Sequence, residues 1–429
     1  MHQESKIVIV GGGFAGLNAA KHLKKAACDI VVIDRTNHHL FQPLLYQVAT
    51  SALSPSDIAR PIRDILKKQS NASVVMASVD KVDLKAQQVQ LENGHTIDYS
   101  HLILAPGARH SYFGHPEWEV IAKGLKSLDD ALKIREHILF SFEKAERCDS
   151  EEEAKKYLTF VIVGAGPTGV EMSGAIAEIA HKTMLKNFSK IDPTKTQIFL
   201  INPHSPVLPS FPPSLGNRAE KDLKKLGVQV ISNKRVTNIT LDGVYMDQEF
   251  ISARNVIWAA GNQASPLLKT LEGVELDPQG RVVVDPDLSV PNHPEVFVVG
   301  DAAHVKDKKG NPLPAISPAA IQQGRFVAKI IQKNIPKEKR SAFKYFDKGM
   351  LATVGKYKAI GKMGVFKFKG LLAWFVWGFV HVFYLAGFAN KLLLLINWSF
   401  YFIAGQRNAR IIQHTIQQEK EIDKPGSVD

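Results

Sequence analysis

Cysteine is scarce in this chain of 429 residues, which contains only Cys28 and Cys148. The two residues are far apart and form no C-x-x-C pair, so we expect neither a disulfide framework nor a metal site built on thiolates. The same scarcity argues against redox chemistry through paired cysteines, because that chemistry needs two sulfur atoms at one site.

A cationic leader with a long apolar core is also absent from the first residues, MHQESKIVIVGGG, so no signal peptide is expected. Acidic residues are fewer than basic ones, and the formal net charge is +12. This charge predicts an anionic partner, such as a membrane surface, a nucleic acid or a phosphorylated cofactor. Because no nucleic-acid-binding motif accompanies the charge, we expect no nucleic acid.

A glycine-rich motif follows at once. KIVIVGGGFAGLNAAKHLKK has an apolar strand, then glycines in G-x-G-x-x-G spacing, then a helix with apolar periodicity. The spacing is typical of a dinucleotide site, since it allows a tight turn, close approach of a pyrophosphate, and packing of helix on strand. The next strand, DIVVIDR, ends in a carboxylate that can bind ribose hydroxyls. The predicted contacts are Gly11, Gly12, Gly13, Phe14, Ala15, Gly16, Asp34 and Arg35.

The pattern repeats in LTFVIVGAGPTGVEMSGAIAEIA, which predicts a second dinucleotide in the same chain. Two dinucleotides indicate hydride transfer from a nicotinamide to a flavin. The strand after this loop ends in an amide, which does not repel a 2′-phosphate, so NADPH stays open beside NADH. The predicted nicotinamide-dinucleotide contacts are Gly164, Gly166, Pro167, Thr168, Gly169 and Asn202, with Ala260 and Gly261 from NVIWAAGNQ.

Two apolar strands, HLILAPGAR and EVFVVGDAAH, end in small residues and add Ala105, Gly107, Gly300 and Asp301 to the predicted FAD site. With these motifs the chain resembles the two-dinucleotide-binding-domain flavoprotein family over roughly residues 6–333. The resemblance implies that Asp301 binds the ribityl chain of FAD. A role as a helix-capping aspartate is the alternative for this residue.

Three segments, residues 41–63, 164–174 and 317–328, resemble the type II NADH:quinone oxidoreductases. The third is similar to the family motif A-Q-x-A-x-Q-Q-G, although Ser317 and Pro318 replace the opening Ala-Gln. The resemblance implies a catalytic Glu171 and quinone contacts by Ala319, Gln322 and Gln323. The alternative for Glu171 is a first-turn glutamate stabilised by the helix dipole. The alternative for the third segment is a helix start, in which SPAA supplies an N-cap and a proline in the first turn.

An apolar, aromatic-rich run occupies residues 370–405. Its flanks are basic on both sides, which by the positive-inside rule assigns both to the cytoplasmic side. We therefore expect a segment that lies in the interface or dips in and returns, as a peripheral or monotopic anchor on the cytoplasmic face of the inner membrane. A buried pair of core helices is the alternative. The flanking cations are Lys356, Lys358, Lys362, Lys367, Lys369, Arg407 and Arg410, with Lys391 between.

The sequence thus predicts an α/β fold with two Rossmann-like dinucleotide-binding domains, for FAD and NAD(P)H, and a C-terminal helical membrane-anchoring segment. The predicted limits are residues 1–126 and 276–345 for the FAD domain, 127–157 for a helical connector, 158–275 for the NAD(P)H domain and 346–429 for the membrane-associated region. The function that the resemblance implies is electron transfer from NADH through FAD to a quinone of the respiratory chain, without proton pumping, on an anionic membrane surface. A homodimer is one oligomeric state compatible with the sequence. The alternatives are a reductase of a small redox protein and a non-catalytic membrane-recruited nucleotide sensor.

Overall fold

The computed structural model describes residues 5–307, 310–404 and 409–412, and Arg407 lies outside them. Its α-helices are α1 Phe14–His22, α2 Leu45–Ala49, α3 Pro55–Ile58, α4 Ile62–Leu66, α5 Trp118–Ile121, α6 Leu128–Arg147, α7 Glu151–Tyr157, α8 Pro167–Glu178, α9 Pro213–Lys225, α10 Ser317–Gln332, α11 Gly370–Tyr384 and α12 Phe388–Ala404.

The strands up to the middle of the chain are β1 Lys6–Val10, β2 Asp29–Asp34, β3 His38–Leu40, β4 Ala59–Pro61, β5 Ala72–Met76, β6 Val79–Asp83, β7 Gln88–Leu91, β8 Thr96–Asp98, β9 His101–Leu104, β10 Ala108–His110, β11 Ala122–Gly124, β12 Thr159–Val163 and β13 Gln197–Asn202. The remaining strands are β14 Val228–Ser232, β15 Asn238–Thr240, β16 Gly243–Met246, β17 Glu249–Ser252, β18 Asn255–Trp258, β19 Asn262–Ala264, β20 Val282–Val283, β21 Ser289–Val290, β22 His293–Val298, β23 Ala303–His304, β24 Met350–Thr353, β25 Ala359–Met363 and β26 Phe366–Lys369.

The first compact unit contains residues 5–40, 59–109, 262–307 and 310–348 among those that the structure describes. Its main sheet has the order β21-β22-β9-β1-β2-β5, in which β21 alone runs antiparallel to its neighbour. The central strand, KIVIV, is buried over four of its five residues, as expected where helices cover both faces of a parallel sheet. The order is that of a Rossmann-type sheet, with α1 following its central strand.

Helices α1 and α10 pack closely in this unit. A Cβ atom at Gly324 would collide with the carbonyl oxygen of Ala15, so only glycine lets the two backbones approach this far. Gly324 is the glycine of the Q-Q-G sequence in α10. This glycine is therefore needed for helix packing, whatever the two glutamines before it do.

The second compact unit contains residues 41–58, 110–261 and 349–429, with the gaps given above. Its main sheet has the order β11-β18-β12-β13-β14 and is parallel throughout. The central strand, TFVIV, is completely buried, and α8 follows it through the second glycine loop. The predicted α/β fold with two Rossmann-like units is confirmed.

The C-terminal region begins with the antiparallel sheet β24-β25-β26, whose last strand leads directly into α11. The apolar run then forms two helices, α11 and α12, because the chain turns at Gly387, where φ is 89°. Within the described part of the chain, no helix combines the length and the apolar character that a membrane crossing requires.

Helices α11 and α12 each have two different faces. Their inner faces are buried in the second unit and include Ala373, Trp377, Leu394 and Trp398. Their outer faces expose large apolar side chains, namely Leu371, Leu372, Phe375, Phe379, Phe383, Leu392, Leu393, Leu395, Ile396 and Phe400. The alternative of a fully buried helix pair is therefore wrong, although each helix also contributes buried side chains.

Residues 41–58 are grouped with the second unit, whereas the predicted FAD domain included them. The reason is packing, since α2 contacts α6 and α8, and α3 contacts α12. The predicted connector, residues 127–157, forms α6 and α7 within the same unit. The assignment of the predicted domains to individual cofactors stays a prediction.

Candidate functional site

The first glycine loop joins β1 to α1. Gly11 has a φ of 102°, and a Cβ atom there would collide with the carbonyl oxygen of Ala105. Gly13 precedes α1 without a side-chain cap, and no atom lies within 4 Å of the position of a Cβ there. The start of α1 is therefore uncapped by side chains and the space beside Gly13 is open, as a bound pyrophosphate requires. The first turn of α1 contains the other predicted residues, Phe14, Ala15 and Gly16.

Asp34, at the end of β2, is bonded to this loop. Its Oδ2 accepts a hydrogen bond from the Gly12 backbone N–H at 2.6 Å, and its Oδ1 accepts bonds from the N–H and the hydroxyl of Thr36 at 2.7 and 2.8 Å. The carboxylate thus orders the carboxyl edge of the sheet, where the predicted ribose would bind. The neighbouring Arg35 is exposed.

His39 belongs to this loop although no sequence motif indicates it. Its ring is buried, its Nδ1 lies 3.0 Å from the Gly12 carbonyl oxygen, and its ring lies edge-on to Phe14. Burial lowers the pKa of His39 to about 4, so the ring is neutral at pH 7 and the Nδ1–H tautomer donates to Gly12. The sequence gives no signal for this contact, because it joins residues 27 positions apart.

Asp301 follows β22 in a short 3-10 helix. It lines a cavity with Arg281, Ala319 and Gln323, so the first unit brings a predicted FAD residue together with two predicted quinone residues. Arg281 was not predicted from the sequence. Its Nε donates to Asp277 at 2.7 Å, which fixes the guanidinium beside the cavity. A cation there suits a phosphorylated ligand. The predicted Ala105 and Gly107 follow β9 in the same unit.

The two glutamines of α10 are both bonded to backbone groups. Gln323 is buried, and its Oε1 accepts a hydrogen bond from the Gly300 N–H at 2.6 Å. Gln322 donates to the Phe346 carbonyl at 3.0 Å and accepts from the Phe346 N–H at 2.9 Å. Each carboxamide thus stabilises a chain segment. Helix α10 begins at Ser317 with proline in its first turn, but Ile316 and not Ser317 holds the cap position.

The second glycine loop, in the second unit, repeats the geometry of the first. Gly164 has a φ of 100° and donates to the Ile201 carbonyl at 2.9 Å, as Gly11 does to Ile33 at 2.7 Å. Gly166 precedes α8 without a side-chain cap, and no atom lies within 4 Å of the position of a Cβ there. The other predicted residues nearby are Pro167, Thr168 and Gly169 in the first turn of α8, and Ala260 and Gly261 after β18.

Asn202 ends β13 and is only 3% exposed. Its side-chain Nδ2 donates to the His204 carbonyl at 2.6 Å, and its own carbonyl accepts from the Lys234 N–H at 3.3 Å. The amide is therefore already used to shape the loop after β13. Its predicted contact with the coenzyme ribose stays a prediction.

Glu171 lies in the first turns of α8, directly after the second glycine loop. Its side chain is buried, and its Oε1 accepts one hydrogen bond, from the Thr353 backbone N–H at 3.3 Å. Burial raises the pKa of Glu171 to about 8, against the smaller opposite effect of the Thr353 bond. The carboxyl group is consequently protonated at neutral pH and can donate a proton or a hydrogen bond.

A cavity adjoins Glu171 within the second unit. Helix α8 contributes Glu171 and Glu178, which are seven residues apart and so share a face of the helix. The opposite walls come from α2, the turn after β24, and α11. Their lining residues include Tyr46, Gln47, Thr353, Trp374 and Trp377. The cavity therefore combines carboxyl and hydroxyl groups with two indole rings.

A series of hydrogen bonds connects α12 to this cavity. Trp398 Nε1 donates to Gln47 Oε1 at 2.8 Å, and Gln47 Nε2 donates to the Tyr46 hydroxyl at 3.0 Å. The Tyr46 and Thr353 hydroxyls are 2.8 Å apart, and Thr353 bonds Glu171 through its N–H. Gln47 thus joins the C-terminal helix to the group that holds Glu171.

Neither cysteine belongs to a candidate site. Cys28 precedes β2 and Cys148 follows α6, and both are free and partly buried. Burial raises the pKa of each thiol, which disfavours the reactive thiolate.

Comparison with known proteins gives consistent matches. A family model described as pyridine nucleotide-disulphide oxidoreductase matches residues 5–324. The chain is 45% identical over 417 residues to type II NADH:quinone oxidoreductase Ndh of Mycobacterium tuberculosis, covering 94% of this chain and 89% of that protein. It is 41% identical over 423 residues to NdhA of the same organism, covering 95% and 89%.

Among solved structures, NDH2 of Plasmodium falciparum in complex with NADH matches with a TM-score of 0.87, covering 96% of this chain and 100% of that chain. The sequence identity is 20%, so this likeness shows the fold alone.

Proposed function

Because the chain belongs to the pyridine nucleotide-disulphide oxidoreductase family and, within it, to the type II NADH:quinone oxidoreductases, we propose that it oxidises NADH and reduces a quinone with FAD as its bound cofactor. The balanced reaction is NADH plus quinone plus one proton to NAD⁺ plus quinol. The observation that carries the proposal is the pair of glycine loops, each at the centre of its own parallel sheet.

Residues of the first unit fit FAD. The uncapped start of α1 beside Gly13 would receive the pyrophosphate, Asp34 a ribose, and Asp301 the ribityl chain. The uncapped start of α8 beside Gly166 would receive the pyrophosphate of NADH. FAD, when bound, accepts a hydride from NADH and passes the two electrons to the quinone.

Glu171 supplies the proton that the reaction consumes. Its raised pKa, about 8, keeps it protonated at neutral pH, and its single backbone bond leaves the second carboxyl oxygen without a bond to the described residues. A buried acid of this kind suits transfer to a quinone oxygen. We assign to it proton uptake linked to quinol formation, and no pumping of protons across a membrane.

The cavity beside Glu171 is the proposed position of the quinone head group. It is lined by α11, a helix whose outer face is apolar, so a lipid-dissolved substrate would approach along this helix. Direct quinone contacts by Ala319, Gln322 and Gln323 stay a prediction. The backbone bonds of the two glutamines support an additional role in ordering the first unit.

The C-terminal region attaches the enzyme to an anionic membrane surface. The outer faces of α11 and α12 expose apolar side chains, Phe379 to 73%. The β25-β26 turn exposes Val365 and Phe366, and Lys362 lies directly opposite Lys367 in this hairpin. Like charges opposite one another destabilise a strand pair, and anionic headgroups would relieve that repulsion. The attachment is peripheral or monotopic, on the cytoplasmic face. A homodimer stays a prediction.

Anaerobic flavin absorbance tests the function. NADH is expected to bleach the flavin band of the purified protein, and a short-chain quinone to restore it. Gly166→Leu fills the open space before α8 and is expected to abolish bleaching while FAD stays bound; Gly13→Leu, at the same place in the first loop, is expected to reduce FAD binding. A flavin that stays oxidised with NADH would support the sensor alternative. Reoxidation by a small redox protein but not by quinone would support the reductase alternative.

A further inference from the structure

Trp377 carries a buried polar group without a partner. The residue lies in α11 and is 1% exposed, yet its indole Nε1 has no hydrogen-bond partner among the residues that the structure describes. Buried donors are almost always paired, because an unpaired one has lost its bonds to water without replacement. The N–H of Trp377 is therefore available to an acceptor from outside the described residues.

The indole ring is held in place on two sides. It stacks on Trp398 with ring centroids 5.2 Å apart and packs against His381 at 4.4 Å. Burial lowers the pKa of His381 to about 4, so its ring is neutral and Nδ1 donates to the Trp377 carbonyl at 2.7 Å. Trp398 is in turn bonded to Gln47. The donor is thus fixed before any ligand binds, which lowers the entropy cost of binding.

The surroundings select the type of acceptor. Trp377 lines the cavity that also contains Glu171 and Glu178. Lys356 lines the same cavity and partly offsets the repulsion between the carboxyl groups and an anion, whereas a cation cannot accept a hydrogen bond. The acceptor that fits is a neutral oxygen on an otherwise apolar molecule, which can pack beside Trp374 and Trp377.

We propose that the Trp377 indole N–H donates a hydrogen bond to a carbonyl oxygen of the quinone head group, so that α11 forms part of the substrate site as well as the membrane anchor. This inference rests on the proposed quinone reductase function. The indole N–H orients the carbonyl and gives up no proton, because it is a donor only and does not ionise in this pH range. The proton of the quinol still comes from Glu171.

Substitution tests the contact kinetically. Trp377→Phe keeps an aromatic ring against Trp398 but removes the donor. The KM for a short-chain quinone is expected to rise about three- to tenfold, as for the loss of one hydrogen bond to a neutral acceptor. The rate of anaerobic flavin reduction by NADH, a half-reaction in which no quinone takes part, is measured beside it and should change less than quinone reduction. An equal loss in both half-reactions would reduce Trp377 to a packing residue.

Nuclear magnetic resonance of the wild-type holoenzyme tests the contact without a variant. The five tryptophans give five indole ¹⁵N–H signals, and the signal missing in Trp377→Phe, or in Trp377→Leu if the first variant misfolds, identifies Trp377. Adding a short-chain quinone should shift this signal most, and the shift should saturate with quinone concentration. An unmoved Trp377 signal in an enzyme that reduces quinone would overturn the inference alone, and would assign the acceptor to a water or to a residue outside the described ranges. Absence of quinone reduction in the wild type would instead overturn the proposed function.

Discussion

Glu171 acquires its chemistry from its surroundings. In water a glutamate is ionised at neutral pH, whereas here burial disfavours the charge and one backbone N–H only partly compensates. Because burying the charge is unfavourable, the carboxyl group stays protonated at the pH at which the enzyme would work. Two consequences can be measured, one for turnover and one for stability.

The pH dependence of turnover follows from the protonated state. Below about pH 8 wild-type Glu171 holds its proton, so quinone reduction should fall as pH rises through that value. Glu171→Gln should lose this pH step and reduce quinone about a hundredfold more slowly, while FAD binding is unchanged. Steady-state rates from pH 6 to 9.5 test both points. A variant with the wild-type rate at every pH would leave Glu171 with the role of stabilising its helix.

The same titration affects stability. Between the ordinary pKa of a glutamate and about 8, the folded state keeps a proton that the unfolded chain releases, so the free energy of unfolding falls as pH rises through this window. Glu171→Gln has no such titration and should be more stable than wild type at pH 8.5, by about 5 kcal/mol, with the difference vanishing near pH 4.5. Thermal unfolding at both pH values measures it. A difference independent of pH would mean that Glu171 is not the group responsible.

Coenzyme preference is a second property expected from one residue. Asn202→Asp keeps the side-chain volume but puts a carboxylate at the end of β13, where the ribose of the coenzyme is predicted. The kcat/KM for NADPH should fall about tenfold relative to that for NADH, through repulsion of the 2′-phosphate. Some stability should also be lost, because the bond to the His204 carbonyl disappears. Equal changes with both coenzymes would place the side chain away from the ribose.

Helix α12 combines an apolar outer face with an inner face that carries hydrogen-bond donors beside buried apolar side chains. Asn390 donates to the Ser56 carbonyl at 2.7 Å, Asn397 to Asp57 at 2.9 Å, and Trp398 to Gln47. The donors are seven and eight residues apart, so they lie along one side of the helix. Directional bonds of this kind fix the rotation of a helix that hydrophobic contacts alone would allow to turn.

Removing one of these bonds should loosen α12. Burial raises the pKa of Asp57, and the hydrogen bond from Asn397 partly lowers it. Asn397→Leu therefore removes one hydrogen bond from a buried carboxyl group. We expect a local cost of about 2 kcal/mol and correspondingly faster hydrogen exchange of α12 backbone amides. Ser399→Ala is the matched control, because Ser399 is exposed and bonds only Leu395 within the helix. Equal exchange in the two variants would contradict the docking role.

Part of the net charge of +12 is concentrated at the C-terminal hairpin and helices. Changing Lys362, Lys367 and Lys369 together to glutamine should weaken binding to anionic vesicles by about 1 kcal/mol per charge, and by less at high salt. The control changes three exposed lysines of the first unit, Lys24, Lys25 and Lys85. Vesicle sedimentation measures both variants. An equal effect of the two sets would assign the attraction to overall charge and not to this surface.

The features that were predictable from the sequence are those that depend on local backbone chemistry. Both glycine loops follow a buried strand and precede a helix as predicted, because their spacing is required by a turn that only glycine can make, as the φ of Gly11 illustrates. The same local patterns indicated the flavoprotein family, and the family match over residues 5–324 confirms that prediction. The division of residues 41–58 from the first unit was not predictable in this way, because it depends on packing against helices distant in sequence.

Only the folded chain shows which side chains are already bonded and which are not. Gln322 and Gln323 look free in a motif, yet both are paired with backbone groups outside it. Trp377 looks like one more aromatic residue of an anchor, yet its ring is buried beside the Glu171 cavity with an unpaired N–H among the described residues. Trp398 and Gln47 meet across 351 positions. Such contacts depend on how the chain returns to itself, so no local pattern encodes them, whereas glycine turns and strand burial act within a few residues.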